Sequence, residues 1–107
     1  MTSNNLKFEI KSFLIEKGFR LLYISQHSDI FSSALDSTFV FYSFNGFSNV
    51  VVLRFNLEDD TIFICFLPKF ILSSLSTNDI IKKYCFANVP DIQTLEILFN
   101  AFLLFNH

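Results

Sequence analysis

An Asn-Gly pair, Asn45-Gly46, stands inside a strongly apolar stretch, and it constrains the fold more than any other feature of the sequence. Both residues adopt positive φ angles readily, so such a pair is the strongest short signal for a two-residue β-hairpin turn. The surrounding residues 38–56 contain five phenylalanines and four valines. We therefore predict two antiparallel strands, residues 38–44 and 47–56, joined by a tight turn.

Two further strands flank this hairpin. Residues 19–25 form an apolar run with little polar alternation, which predicts a strand that is covered on both faces. Residues 61–67 are apolar on both alternating sets and end at Pro68, which cannot donate a hydrogen bond to a sheet. The acidic residues 58–60 mark the turn before this last strand. The sequence thus predicts a four-stranded antiparallel meander, and its strand 61–67 also needs cover on both faces.

Helical periodicity precedes and follows the strands. Residues 3–19 begin with polar residues, repeat apolar side chains at helical spacing and reach Gly18, which is placed to end the helix. Residues 74–86 carry Ser76 or Thr77 as a cap, followed by apolar side chains at helical spacing. These patterns predict one N-terminal helix and the first of two C-terminal helices.

The second C-terminal helix is predicted within residues 89–107. Pro90 lies near its first turn, and Asp91 lies beside the positive end of the helix dipole. Only one narrow strip of this helix is polar, so we expect most of its surface to be covered.

Composition supports one folded domain over residues 1–107, with 51% hydrophobic and 17% charged residues. The fold class is α+β, with an N-terminal helix, a four-stranded antiparallel sheet and two C-terminal helices. This order of elements is similar to that of small α+β proteins such as the type III secretion chaperones, in which a helix precedes a curled antiparallel sheet. No motif assigns the chain to a family.

Candidate catalytic and metal-binding residues are few. His27, Ser28 and Asp29 are the residue types of a hydrolase triad, but sequence neighbours point apart, so local turn or capping bonds are the better interpretation. Cys65 and Cys85 lie in apolar surroundings typical of buried free thiols and leave a zinc site without enough ligands. We predict no enzyme activity, no cofactor and no metal site.

The chain carries a net charge of −2 and no strongly basic segment, which disfavours nucleic-acid binding. Its first residues are polar and charged where a signal peptide would be apolar, so we expect a cytoplasmic protein. The longest uncharged stretch, residues 37–53, is interrupted by Asn45-Gly46, and no transmembrane helix is expected.

Sixteen phenylalanines in 107 residues allow two interpretations. An AT-rich genome inflates phenylalanine without functional meaning, whereas an exposed contact surface uses aromatic side chains directly. On the second interpretation, the strands of residues 38–67 and the last helix carry more apolar surface than the chain covers by itself. The residues predicted to bind a protein partner or a second copy in a homodimer are Phe47, Val51, Phe55, Phe63, Phe99, Phe102 and Phe105.

The predicted function is therefore a small, non-enzymatic protein-interaction module, such as an adaptor, a chaperone-like subunit or an inhibitor of a larger protein. The alternative is a small ligand-binding domain or enzyme with an aromatic-lined apolar cavity. In that alternative, Tyr23, Tyr42 or His27 supplies the polar contacts to the ligand.

Overall fold

The computed structural model describes residues 2–28, 35–43, 49–74 and 76–105. Its elements in chain order are α1 (Thr2–Glu16), β1 (Arg20–Ser28), β2 (Leu35–Ser43), β3 (Asn49–Asn56), β4 (Ile62–Pro68), a 3₁₀ helix (Lys69–Ser73), α2 (Thr77–Lys83), β5 (Ala87–Asn88) and α3 (Ile92–Phe105). The α+β class, the N-terminal helix, the antiparallel sheet and the C-terminal helix are confirmed. The predicted Asn45-Gly46 turn lies outside the described residues.

The sheet has five antiparallel strands in the order β1-β2-β3-β4-β5, so the prediction of four strands was wrong in this detail. The additional strand, β5, pairs Asn88 with Phe63 and Ala87 with Ile64. The backbone N–H of Val89 extends this pairing by donating to the carbonyl of Ile62 at 2.8 Å. A strand of two residues is too short to show the alternation of apolar and polar side chains in the sequence. It lies between α2 and α3 in the chain.

Gly18 ends α1, as predicted. Its φ of 92° lies in the left-handed region that favours glycine. The N–H of Phe19 donates to the carbonyl of Leu14 at 2.9 Å, and the N–H of Gly18 donates to that of Ile15 at 3.0 Å. These bonds form a Schellman motif, and the buried side chains of Phe19 and Leu14 both join the core. The motif thereby turns the chain from α1 into β1.

Both faces of β3 and β4 are covered by the chain itself. The sequence predicted that the fourth strand needs cover on both faces, but it attributed part of that cover to a second chain or a partner. One face, here called the α1 face, packs against buried side chains of α1 and α3, including Ile10, Leu14, Leu95 and Phe99. The opposite face, here called the α2 face, packs against Ile80 of α2. The sheet side chains on the α1 face are Val40, Tyr42, Val51, Leu53, Ile62 and Ile64. Those on the α2 face are Phe39, Phe41, Val50, Val52, Cys65 and Leu67.

Side-chain caps fix where the two C-terminal helices begin. Ser76 and Asp79 form a capping box: the N–H of Asp79 donates to the Ser76 hydroxyl at 3.2 Å, and the N–H of Ser76 donates to the Asp79 carboxylate at 3.1 Å. The carboxylate of Asp91 accepts hydrogen bonds from the N–H and the hydroxyl of Thr94, both at 2.8 Å. Asp91 is therefore the cap of α3, and Pro90 precedes the helix rather than lying in its first turn.

Aromatic rings fill the space between α3 and the sheet. Phe99 contacts three other rings edge to face, with centroid distances of 5.3 Å to Phe19, 5.5 Å to Phe13 and 6.2 Å to Phe66. Phe66 also stacks on Phe102 at 4.1 Å. These phenylalanines therefore form part of the core packing.

Within the described part of the chain, no helix is both long and apolar enough to cross a membrane.

Candidate functional site

Two of the predicted contact residues lie in the core. Val51 is 1% exposed and Phe99 is 2% exposed, and both belong to the cluster on the α1 face. Their apolar surface is already covered by the chain, because α1 and α3 pack over this face. The partner-binding role predicted for these two residues stays a prediction.

The other predicted contact residues whose side chains are described do not converge on one surface. Phe55 and Phe102 are half-buried, Phe55 against the α1-face cluster and Phe102 against another ring. Phe63 is half-buried and pairs with Arg54, so the strand register places it on the α2 face. Phe47 lies outside the described residues, and the side chain of Phe105 is not among those described.

Exposed apolar surface is concentrated on the edge strand β1 instead. A continuous run, here called the β1 patch, is formed by Leu21, Leu22, Tyr23 and Ile24, whose side chains are 54%, 41%, 44% and 57% exposed. β1 stands first in the strand order, so no strand of the described residues lies along its outer edge. The prediction that residues 19–25 are covered on both faces was therefore wrong. Among the side chains that the structure describes, the other large apolar ones that are exposed are Phe8, Ile15, Leu57, Phe70 and Ile97.

A register shift in β1 distributes the β1 patch over both faces of the sheet. Leu21 pairs with Tyr42 and Tyr23 with Phe41, so Leu22 is an additional residue in β1. A bulge of this kind re-aims the side chains that follow it. As a result, Leu21 and Ile24 lie on the α1 face, while Tyr23 lies on the α2 face and stacks on Phe41.

An apolar cleft of about 230 Å³ opens beside the β1 patch on the α1 face. Its walls are Leu21 and Ile24 of β1, Lys7 and Lys11 of α1, and the sheet side chains Val40, Tyr42, Leu53 and Phe55. The ammonium group of Lys7 lies 5.3 Å from the centroid of the Phe55 ring. No acidic side chain of the described residues lines this cleft. The cleft therefore combines an apolar floor with a positively charged rim.

The charges of α1 are segregated to its two sides. Lys7 and Lys11 line the cleft beside β1, whereas Glu9 and Glu16 line a second cleft of about 380 Å³ between α1 and α3. Glu96 of α3 also lines this second cleft. Because the lysines and these glutamates line different clefts, the surface beside β1 carries a local positive charge.

A polar cluster occupies the far end of β1. His27 Nδ1 lies 2.7 Å from Asp36 Oδ1, and this hydrogen bond is the main reason that the pKa of Asp36 lies below its ordinary value. Arg54 donates from Nε to the hydroxyl of Ser37 at 3.0 Å, and its guanidinium group lies 5.5 Å from the centroid of the Phe39 ring. The cluster links β1, β2 and β3 across the sheet.

This cluster contains His, Asp and Ser, but its geometry does not suit nucleophilic catalysis. Ser37 is fully buried, so the carbonyl group of a substrate does not reach its hydroxyl. The sequence interpretation of His27 as a local turn residue missed its partner Asp36, which is brought close by strand pairing. Asp29 lies outside the described residues. No group of three metal-ligating side chains occurs among the described residues.

The chain matches no family model, no curated protein and no solved structure. The similarity in element order to the type III secretion chaperones is thus a prediction that no matched structure supports.

Proposed function

We propose that this chain is a non-enzymatic protein-interaction domain that binds an extended segment of another protein along β1. The observation that carries the proposal is the β1 patch: four consecutive apolar side chains, each exposed by 41% or more, on an edge strand. Edge strands are templates for another strand, which pairs through main-chain hydrogen bonds while side-chain pockets supply specificity.

β1 has few of the features that protect edge strands, and this supports the proposal. Proteins usually shield edge strands with lysines, prolines, short length or bulges, because an exposed apolar edge promotes aggregation. β1 is nine residues long, contains neither lysine nor proline, and has its one formal positive charge at Arg20, the first residue. The register shifts at Leu22 and between His27 and Ser28 are a partial protection. An edge of this kind is better explained as a surface that is covered when the protein functions.

The size of the patch limits the expected affinity. Burying a whole Leu, Ile or aromatic side chain contributes about 1.5–3 kcal/mol, so four half-exposed side chains together contribute about 4 kcal/mol. Association itself costs at least about 4 kcal/mol in lost translational and rotational freedom, so burial of the patch alone does not hold a partner. Main-chain pairing and the adjacent cleft must contribute the rest of the affinity in a micromolar complex.

An adaptor, a chaperone-like subunit and an inhibitor are all roles for a domain that binds in this way. The alternative, binding of an apolar small molecule in an aromatic-lined cavity, has weaker support. The cleft beside β1 measures about 230 Å³, below the roughly 300–1,000 Å³ typical of ligand pockets. The second cleft, between α1 and α3, is about 380 Å³, but the carboxylates of Glu9, Glu16 and Glu96 line it and do not suit an apolar molecule. It accommodates one or two side chains of a partner better than a whole ligand.

The proposal is tested by placing a photocrosslinking amino acid at Ile24 and, as a matched control, at Phe70, which is 75% exposed but lies outside the sheet. We expect a discrete protein to be crosslinked from position 24 and not from position 70. That protein is then purified, and its affinity is measured for the wild type, Ile24→Lys and Phe70→Lys.

A charge at position 24 lies within the proposed interface, so Ile24→Lys should weaken binding by roughly ten-fold or more, while Phe70→Lys leaves it unchanged. Equal affinity of both variants for the purified protein, or crosslinking from position 70 alone, would show that β1 is not the binding surface.

A further inference from the structure

Resting on the proposed function, we infer that the segment bound along β1 is acidic on the side that faces α1. It places an apolar side chain in the cleft beside β1 and an Asp or Glu carboxylate next to Lys7 and Lys11. The occupant is thus an extended acidic and apolar segment of another protein.

Strand geometry brings such a segment within reach of the lysines. Neighbouring strands lie about 4.8 Å apart, and alternate side chains point to the same face. A strand added to β1 therefore places every second side chain on the α1 face, next to Leu21 and Ile24. Those two residues line the cleft together with Lys7 and Lys11. A carboxylate at such a position lies beside the positive rim of the cleft.

The dimensions of the cleft indicate the apolar part of the segment. About 230 Å³ is enough for one large apolar side chain or two small ones. Leu53 and Phe55 form part of its apolar floor. We therefore expect an apolar side chain and an acidic side chain two residues apart in the bound segment, the spacing that puts both on one face of a strand.

Charge disfavours a second copy of the chain as the occupant. A two-fold symmetric pairing of β1 with β1 brings the same surface of each copy together. The lysine-rimmed clefts would then lie on one face of a continuous sheet, where Lys7 and Lys11 of the two copies repel each other. An acidic partner turns the same charges into an attraction, and such complementarity selects partners and speeds association.

The probes for this inference are three capped peptides of about ten residues, matched to the nine residues of β1. Thr alternates with Val in all three, and two of the Val positions carry Glu in the first, Gln in the second and Lys in the third. Binding is measured by NMR titration at low salt, followed through the amide signals of Leu21 and Ile24. We expect the Glu peptide to bind roughly ten-fold more tightly than the Lys peptide, with the Gln peptide between them.

The double variant Lys7→Glu, Lys11→Glu is the decisive control. Lys11 is exposed and Lys7 is half-buried, so the fold of the variant is checked by circular dichroism. We expect its preference to reverse, so that the Lys peptide binds more tightly. Raising the salt concentration should reduce the preference of the wild type as well, because exposed charges are screened.

Equal binding of the three peptides overturns the inference, and so does absence of binding up to about 1 mM. Self-association of the wild type through β1, abolished by Ile24→Lys, also overturns it, because the occupant is then a second copy. Equal or absent binding of the peptides leaves the crosslinking experiment at Ile24 unaffected, so failure of the charge inference is distinguishable from failure of the proposed function. Self-association differs from both, because the protein crosslinked from position 24 is then a second copy of the chain.

Discussion

Tyr23 on the edge strand β1 stacks on Phe41 of β2, with ring centroids 4.3 Å apart and an angle of 17° between the planes. Phe41 is fully buried on the α2 face, whereas Tyr23 is 44% exposed. One ring of the pair thus belongs to the core and the other to the β1 patch. This contact holds the exposed strand in position without covering it.

Tyr23→Ala should lower the free energy of unfolding by about 1–2 kcal/mol, because it removes the aromatic stack together with some buried apolar area. Tyr23→Phe keeps the ring and serves as the control, with an expected change below about 0.5 kcal/mol. Urea unfolding followed by circular dichroism measures both changes. If Tyr23→Ala matches the wild type, the stack does not stabilise β1.

Gly18→Ala should destabilise the protein by about 1–2 kcal/mol, because a Cβ atom is disfavoured at the φ of 92° that ends α1. Gly18→Asn should cost less, since Asn tolerates the left-handed region better than Ala. Thermal unfolding of the two variants gives this ranking. A smaller loss in the Ala variant than in the Asn variant would contradict the Schellman motif at this position.

Asp91→Ala should lower Tm by roughly 5 °C, because it removes the side-chain cap of α3. Asp91→Asn preserves a hydrogen-bond acceptor, and Asn is as good a cap as Asp, so its Tm at neutral pH should stay close to that of the wild type. Differential scanning calorimetry of both variants distinguishes the contribution of the capping hydrogen bonds to Tm from that of the carboxylate charge. Equal losses in the two variants would mean that the carboxylate acts through its charge alone.

Lowering the pH should reduce the free energy of unfolding, because it protonates the carboxylates that cap α2 and α3. Hydrogen bonds from Thr94 lower the pKa of Asp91, and hydrogen bonds from Ser76 lower the pKa of Asp79. A carboxyl group whose pKa is lower in the folded than in the unfolded state contributes stability above its unfolded pKa of about 3.9 and loses it as the pH falls. We therefore expect unfolding free energy to decrease between about pH 5 and pH 2.

Asp91→Asn should reduce this loss, because its cap does not titrate. The comparison uses urea unfolding at a series of pH values. An identical acid dependence in the wild type and Asp91→Asn would show that Asp91 does not contribute to it.

Phe99→Ala should destabilise the protein by about 3–5 kcal/mol, since it leaves a cavity among the rings of Phe13, Phe19 and Phe66. Phe70→Ala is the control, with an expected change within about 0.5 kcal/mol, because Phe70 is largely exposed. Urea unfolding of both variants distinguishes a core position from a surface position. Similar values for the two would contradict the packing of α3 on the α1 face.

The sequence predicted the elements that have a clear period or a cap. The alternation in residues 61–67 indicated cover on both faces, and Ile64 and Cys65 do lie in opposite core clusters. Gly18 was identified from residue type alone, and the cap of α2 was narrowed to Ser76 or Thr77, of which Ser76 is the cap. These roles depend on local hydrogen bonds and φ angles. The two-residue strand β5 was missed, since its pairing with Phe63 and Ile64 is set by tertiary contacts.

The candidate site was harder to predict than the fold. Leu21 to Ile24 are as apolar as a buried strand, and composition does not distinguish a covered strand from an exposed edge strand. What decides their exposure is the position of β1 at the end of the strand order, together with the bulge at Leu22. Phe99, by contrast, was predicted as a contact residue from the breadth of an apolar helix face, and the structure places it in the core.

The two cysteines, both free, differ in their surroundings: Cys65 of β4 is buried on the α2 face, whereas Cys85 is exposed, which corrects the expectation that both are buried. Burial raises the pKa of the Cys65 thiol to about 11, so very little of it is the reactive thiolate at neutral pH. A maleimide reagent should therefore label Cys85 at once and Cys65 only when the sheet opens around β4. The ratio of the two labelling rates would measure how often the native sheet opens around Cys65, with the labelling rate of Cys85 as the internal reference.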